Sequence, residues 1–511
     1  MPTFEKRLTW IAPLILLILM MARVVYFYRS SDDVLVQAVP DDAFYYIQMA
    51  RHRLSDGFWT FDGVAPATGF HLLYGYGLLW LFEIFGDLGW RTLFLIIGIG
   101  SSTCISLSCL LVGLASRRLF KVAWLACYIP FFTPLAVQQS TAMMESWLVL
   151  LLSALTVHLG YIEKQASKGA AAGLFMIGVL GSLARSDFGL LPGVLFAANA
   201  LFHKQIPAAW LQRSFCLLVG AVIGVAIVMA HTHAVSGHFS QASAQVKFFW
   251  SHMNGHSIRS VLFLAISVVI PEFRTIPNIL KAVTALLFLG GLFAFLCQAF
   301  LSVVKRKDNF VRLIPALSCA AVFFGYILFY KFNSSAIAAW YSANFIVPCA
   351  IMLPGVIAAA TGKFATIFTN LLLASYLLVV ALLLTQMLYP SQRGLMRTGL
   401  MLKSLPQSHY GSWNAGIISY FSGRKVTNLD GLTNDDLLPY IRSNRLLSYV
   451  QRIRIDQIVD FEVMMAEKYR RRGGYDVPSW SKCVRKIRSM DVESPAFQRS
   501  HIAMYDVLDK C

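Results

Sequence analysis

Residues 40–71 read PDDAFYYIQMARHRLSDGFWTFDGVAPATGFH and begin about a dozen residues after the first long apolar stretch, residues 8–28. Two adjacent carboxylates, Asp41 and Asp42, open the segment, and aromatic residues follow them closely. Ionised side chains are expensive inside hydrocarbon, so such a pair is expected at the boundary of a membrane, where it marks a place for chemistry.

The surrounding chain is built for lipid. Of 511 residues, 57% are apolar and only 14% charged, and the mean hydropathy is +0.61. These values lie outside the range of soluble domains and indicate a polytopic α-helical membrane protein. The formal charge of +18 fits orientation by basic loops and contact with anionic headgroups. No nucleic-acid-binding motif accompanies it, so no nucleic-acid partner is expected.

Crossing about 30 Å of hydrocarbon takes about 20 apolar residues. Eleven stretches meet or approach that length: 8–28, 91–115, 121–137, 146–162, 169–184, 188–202, 212–234, 278–304, 311–331, 341–361 and 364–389. Lys6, Arg7, Arg117, Arg118, Lys164, Lys168, Lys204, Arg213 and Lys363 then share one side, which predicts a cytoplasmic N-terminus and an external C-terminus. Two shorter apolar pieces, 71–85 and 258–271, suit interfacial helices; if both span, the count is thirteen. The first stretch ends in Tyr26, Tyr28 and Arg29 instead of small residues, so it reads as a retained anchor. Arg23 within it is expected to snorkel to the headgroups.

The chain divides into a membrane domain, residues 1–390 with a first external loop at 29–90, and a soluble external domain, 391–511. The second part carries 19 Lys plus Arg and 12 Asp plus Glu and has no stretch able to span. Its opening, GSWNAGIISYFSGRKVTNLDGL, is β-favouring and broken by glycines, and 433–470 reads as helical, so a small α/β domain is expected. Seven of nine cysteines lie in predicted spans as small apolar side chains. Cys483 and Cys511 lie in the external domain, where a disulfide between them is plausible. No CxxC, HExxH, Walker loop or GxGxxG in context occurs, which argues against metal-hydrolase, nucleotide-driven and dinucleotide chemistry.

Polar residues gather on the predicted outer side: Asp41, Asp42, His71, Glu145, Arg185, Asp187, Lys247, His252, His256, Trp340 and Tyr341. A carboxylate there suits a general base acting on a hydroxyl, and Arg, Lys and His suit a phosphate. Each also has an ordinary role. Asp42 suits the cap of a helix starting at Ala43, Arg185 and Asp187 a local ion pair, and Trp340 with Tyr341 an interfacial belt. The histidines of the loop that runs from His233 through His238 and His252 to His256 lack, as a set, the fixed helical or turn geometry of a metal site.

The residue 40–71 segment resembles the first external loop of bacterial GT-C glycosyltransferases, in the family-39-like branch that includes mycobacterial arabinofuranosyltransferases. MMES at 143–146 is similar to that branch's Gly-Met-Glu-Thr segment, LARSDFGLL at 183–191 to its Leu-Ala-Arg-Pro-Glu/Asp-Gly segment, and AAWYSANFIVP at 338–348 to its Trp-Tyr segment. Residues 411–432 resemble the start of its external domain. Where the branch has Thr-Asn-Gly-Phe-His-Pro-Leu-Trp, this chain has Ala67 to Tyr74, ATGFHLLY, and the Trp-Trp-Asp motif of oligosaccharyltransferases is absent.

The resemblance implies an inverting transfer of a sugar from a polyprenyl-phosphate carrier to a hydroxyl of a cell-envelope glycan, lipid or protein, in the inner membrane with an outward-facing site. It implies Asp41 as base, with Asp42 capping or touching sugar. No cofactor is expected to be required; a divalent ion held by Asp42 and Glu145, with help from Asp187, is the alternative. From their residue types, Trp413, Asn414 and Asp430 would allow the external domain to help hold the acceptor, and stabilising the membrane part is the equal alternative. A transporter or flippase of a lipid-linked sugar is the rival reading. It calls for midplane charges in two matching halves, and no halves correspond here.

Overall fold

The computed structural model describes residues 2–120, 123–161, 168–254, 258–269, 288, 290–298, 310–333, 338–462, 474–475, 477–492 and 500–508. Among them, six helices are long and apolar enough to cross a membrane. They are formed by α1 (Pro2–Arg29), α4 (Trp90–Leu119), α8 (Ala208–Ser236), α11 (Phe310–Asn333), α12 (Ala343–Thr361) with the 3₁₀ turn Ala339–Ser342 before it, and α13 (Ala365–Leu382). Shorter apolar helices are α3 (Leu72–Phe85), α5 (Ser146–Tyr161), α6 (Lys168–Ala184) and α7 (Leu190–Leu201). The expected stretches at 146–162, 169–184 and 188–202 are thus realised as these short helices, and most of 278–304 lies outside the described residues. The two pieces first set aside appear as α3 and as α10 (Ile258–Ser267), preceded by α9 (Ala242–Asn254).

Of the span expected at 121–137, the described residues 123–137 do not form one continuous α-helix. Trp124–Phe132 is a 3₁₀ helix carrying Pro130, followed by a short turn of α-helix at Pro134–Gln138. Proline removes a backbone donor and clashes with the preceding turn, which breaks regular α-helix. The segment still runs along the C-terminal half of α4, from Trp124, whose carbonyl accepts from Ser116 at 3.0 Å, to Ser140, whose carbonyl accepts from Ser101 at 3.0 Å. Nearly all of it is buried, the condition under which irregular backbone is tolerated at membrane depth.

Close backbone approach organises the rest. α1 runs antiparallel to α4, with Ser106 donating to the Pro13 carbonyl near one end and Arg91 to the Tyr28 carbonyl at the other. α6 lies against α8 through Gly178 and Gly220, where an added Cβ would overlap backbone atoms of the partner helix; small residues at the contact permit such packing. Arg23 does not snorkel. It is 1% exposed and donates to the carbonyls of Leu384 and Gln386 at 2.6 and 3.0 Å and to Thr141 at 3.1 Å. The chain beyond α13 leaves carbonyls without helical partners, and the guanidinium serves them.

Beyond the bundle, α14 (Gln392–Ser404) and α15 (Ala415–Ser422) accompany a five-stranded sheet of order β2-β1-β3-β5-β4. Its strands are β1 (Tyr410–Ser412), β2 (Val426–Asn428), β3 (Gln457–Phe461), β4 (Val484–Val492) and β5 (Ser500–Val507). β1 is parallel to β2 and β3, and β5 is antiparallel to β3 and β4. The helical reading of 433–470 is corrected in part: helices occupy Leu438–Arg442 and Leu446–Arg452, and β3 follows. Alternation along the strands gives the sheet two apolar faces. Val459, Phe461, Ile502 and Met504 join the core shared with the helical bundle. Ile458, Ala503 and Tyr505 pack on the other side with Leu429, Ile441 and Tyr449. Cys483 is disulfide-bonded, the seven cysteines of the helical part are free, and Cys511 lies outside the described residues.

Candidate active site

Pro40 leads into α2 (Asp41–Ser55), so both aspartates fall in its first turn, where negative charge complements the helix dipole. Residues 42, 45, 46 and 49 then share one face by the i, i+3, i+4, i+7 rule. That face, Asp42, Tyr45, Tyr46 and Met49, forms one wall of a cavity of about 190 Å³.

Asp41 points elsewhere. Its carboxylate accepts from the backbone N–H of Ile417 at 2.7 Å and of Gly416 at 3.2 Å, the first turn of α15. The capping role expected of Asp42 therefore belongs to Asp41, and the capped helix is α15 rather than α2. Burial raises the Asp41 pKa to about 7, against the lowering effect of these two N–H donors.

Other elements converge on the same cavity. From the chain before α5 comes Glu145, after Met143 with φ +52°, a left-handed conformation that costs a non-glycine residue about 1–3 kcal/mol. Tyr74 donates to the Met143 carbonyl at 2.6 Å and steadies that turn. Arg185 follows α6 and divides its guanidinium between two acids. It reaches Glu145 at 2.8 Å and, through two nitrogens, Asp187 at 3.0 and 2.7 Å. Tyr46 donates to Glu145 at 3.3 Å and Tyr330 of α11 to Asp187 at 2.6 Å. His71 Nε2 lies 3.5 Å from Glu145. Burial lowers the His71 pKa to about 4, so its ring is neutral near pH 7.

Lys247 of α9 enters from another side and donates to the Tyr341 hydroxyl at 2.8 Å. Arg185 stacks over the Tyr341 ring, 4.4 Å from its centre. Burial opposes the charge on Lys247, but Tyr341 and Asp42 outweigh it and keep the pKa above its ordinary value. Asp42 is pushed upward by burial; Lys247 opposes this and Glu145 adds to it. Among the described residues no cation comes within ion-pair distance of Asp42.

Most expected site residues thus line one cavity: Asp42, His71, Glu145, Arg185, Asp187, Lys247, Trp340 and Tyr341. Asp41 does not, and His252 does not either; its ring meets the Phe248 carbonyl at 3.0 Å within its own helix. His256 lies outside the described residues. Trp413, Asn414 and Asp430 are also absent from the lining. Asp460 takes up the Trp413 and Asn414 backbones at 2.8 and 2.7 Å, and Asp430 is buried beside Leu432. Tyr45 and Tyr46 were findable from their spacing to Asp42, whereas Tyr330 is hidden within an apolar span. Among the described residues no group of three or more His, Cys, Asp or Glu is arranged to hold a metal ion. Glu145, the expected partner of Asp42 in such a site, is committed to Arg185.

The sheet domain completes the cavity. Thr68 donates its N–H and hydroxyl to Asp435 at 2.6 and 2.5 Å. Gly69 lies so close to the Leu432 carbonyl that any Cβ would overlap it, and Leu432 and Thr433 form part of the lining.

The family described as Domain of unknown function (DUF8728) matches residues 386–505. No curated protein matches the chain. Among solved structures, ArnT from Cupriavidus metallidurans in the apo state is similar at 13% identity and a TM-score of 0.51, over 90% of this chain and 93% of that one. At that identity the likeness concerns architecture alone: the chain has a GT-C-like fold, in which a helical part with, among the described residues, six helices long and apolar enough to cross a membrane carries a small C-terminal sheet domain.

Proposed function

We propose that this protein is an inverting glycosyltransferase that moves a pentose or hexose from a polyprenyl-phosphate carrier to a hydroxyl of a cell-envelope glycan, lipid or protein. The single observation that carries this reading is Asp42, a carboxylate without an ion-pair partner among the described residues, in a cavity with one available ammonium, Lys247. Asp42 takes the proton of the acceptor hydroxyl. The freed oxygen attacks the anomeric carbon as the bond to phosphate breaks, and Lys247 receives the charge of the departing polyprenyl phosphate. One displacement inverts the anomeric centre and needs no covalent intermediate.

Arg185 is engaged by Glu145 and Asp187. Its role in this reading is to fix those acids and the Tyr341 ring, while Lys247 meets the phosphate. His71 stays neutral as a hydrogen-bonding group, and Trp340 offers a face to sugar or lipid. No cofactor enters these steps.

The membrane part, 1–390, carries the reacting groups in this reading, and 391–511 closes the site. The cavity faces outward from a bacterial inner membrane with the N-terminus in the cytoplasm. Arg117, which contacts Thr9 at the end of α1 and α4 away from Arg91, supports that orientation. Purified full-length protein, given labelled polyprenyl-phosphate sugars and envelope extract, is expected to release polyprenyl phosphate and label the extract. Uptake of intact carrier-linked sugar into vesicles without release would favour a flippase instead.

A further inference from the structure

Residues 428–435 bring Leu432 and Thr433 of the sheet domain to the cavity, and the first loop holds them at both ends. At one end Asp435 accepts the N–H and hydroxyl of Thr68 at 2.6 and 2.5 Å, and its own N–H reaches the Pro66 carbonyl at 3.0 Å. At the other end Thr427 of β2 donates its hydroxyl to Asp62 Oδ2. Asp62 is fixed for this contact. Residues 60–66 form a closed turn with Gly63 at φ +75° and a bridge between Thr60 and Pro66, and Asp62 Oδ1 accepts from the N–H of Val64 and Ala65 at 3.0 and 3.2 Å.

The Thr427 contact is one hydrogen short while His409 is neutral. His409, half-buried just before β1, places Nε2 2.9 Å from the same Thr427 hydroxyl and Nδ1 3.1 Å from the Arg454 carbonyl. A carbonyl only accepts, so Nδ1 carries a hydrogen, and a neutral ring then has a bare Nε2. Thr427 has a single hydrogen for two acceptors, Nε2 and Asp62. Both contacts are hydrogen bonds when the ring takes a second proton: Nε2–H donates to Thr427 Oγ1, and Thr427 donates to Asp62. Thr427 is 0% exposed, so bulk water does not make up a bond lost there.

The charged groups facing His409 come from both sides of the interface. Burial and then Lys425 hold its pKa below 6.5, against Asp62, the Arg454 carbonyl and Asp456. Lys425, Arg454 and Asp456 belong to the sheet domain, and Asp456 accepts the His409 backbone N–H at 2.7 Å. Of these groups only Asp62 belongs to the first loop. Beside it, His52 and Asp56 pair with each other at 2.7 Å next to Gly63, and burial keeps the Tyr449 phenol above its ordinary pKa. Undocking the sheet domain therefore removes Asp62 and leaves Lys425 in place. The ring holds its proton more tightly docked than undocked, and by reciprocity protonation favours docking. That contribution is complete in acid and is lost as pH rises through a docked pKa that lies below 6.5.

We propose that His409, Thr427 and Asp62 form a proton-dependent clasp, which closes the sheet domain over the cavity in acid and loosens it towards neutral pH. The clasp acts whatever the cavity binds, so it stands or falls apart from the glycosyl-transfer reading.

The test is amide hydrogen exchange of residues 60–65 and 424–428 in the full chain in nanodiscs at pH 5 and pH 7, each corrected for intrinsic exchange. Asp41 and Asp435 also titrate at this interface, so the quantity read is the difference between wild type and variant. Wild type is expected to exchange these segments about 3- to 10-fold more slowly at pH 5, the reach of a pKa displaced by about half to one unit. His409→Gln, whose amide donates to Thr427 at either pH, is expected to lose most of that difference. Asp62→Asn, which removes the charge across the interface, is expected to lose it as well. Wild-type dependence on pH in either variant overturns the clasp, as does wild-type exchange that is equal at the two pH values or faster at pH 5. If His409→Gln does not fold, as lost protection in α4 at pH 7 would show, Asp62→Asn decides by the same readings.

Discussion

The Asp41 carboxylate accepts the backbone N–H of Ile417 at 2.7 Å, a bond between α2 and α15, more than 370 residues apart in the chain. One of two adjacent aspartates thus joins the sheet domain to the first loop, and the other is left to the cavity. Asp41→Asn keeps one good acceptor, so a loss of about 1 kcal/mol of stability is expected, with turnover within about tenfold of wild type. Thermal melting and the transfer assay check both.

The same residue makes a pH prediction. Its folded pKa of about 7 stands above the ordinary 3.8, so the folded state binds the proton more tightly than the unfolded chain. The contribution is fully present below pH about 4 and is lost as pH rises towards 7, by up to about 1.4 kcal/mol per pH unit. Wild type is expected to lose more stability than Asp41→Asn between pH 4.5 and 7.5. Parallel melting curves across that range would refute the assignment.

Arg185 compensates two acids, the buried Glu145 and the partly buried Asp187. Arg185→Gln leaves Glu145 and Asp187 without their cation, and a loss of about 3–5 kcal/mol is expected. Adding Glu145→Gln to it is expected to recover part of the loss. Additive melting shifts in the double variant would show that the two side chains are not coupled.

At Gly69 the first loop meets the sheet domain with no room for a methyl group. Gly69→Ala is expected to open the 428–435 loop, expose it to limited proteolysis and cost more than tenfold in turnover. Gly77→Ala, with open space at its Cβ position, is the control and is expected to be silent. Equal protease resistance of the two variants would argue against a closed wall.

Lys247 is the cation expected to meet phosphate. Lys247→Ala is expected to weaken inhibition by free polyprenyl phosphate about 10- to 100-fold, the range for a charged hydrogen bond, with partial recovery in Lys247→Arg. An unchanged inhibition constant would move the phosphate elsewhere.

Hydropathy and charge made the polytopic fold readable, because hydrocarbon imposes its length and polarity on every span. The same pattern overlooked the breaks at Pro130 and Pro134, since burial among neighbours lets a non-α segment run along α4. Glu145, Arg185, Asp187 and Lys247 could be found as isolated charges between apolar runs. Their pairing could not, because Arg185 chooses its acids in three dimensions. Nor could the different aims of Asp41 and Asp42, which depend on where α15 packs. Leu432 and Thr433 had no sequence signal; they join the lining because their loop folds over Gly69.

The most direct test of the central claim is transfer from labelled polyprenyl-phosphate sugar by Asp42→Asn beside Asp41→Asn, both confirmed as folded by melting. Asp42→Asn is expected to reduce turnover by about 10²- to 10⁴-fold, as removal of a general base does, while Asp41→Asn retains most of it. Full activity in Asp42→Asn, or its loss in Asp41→Asn alone, would contradict Asp42 as the base.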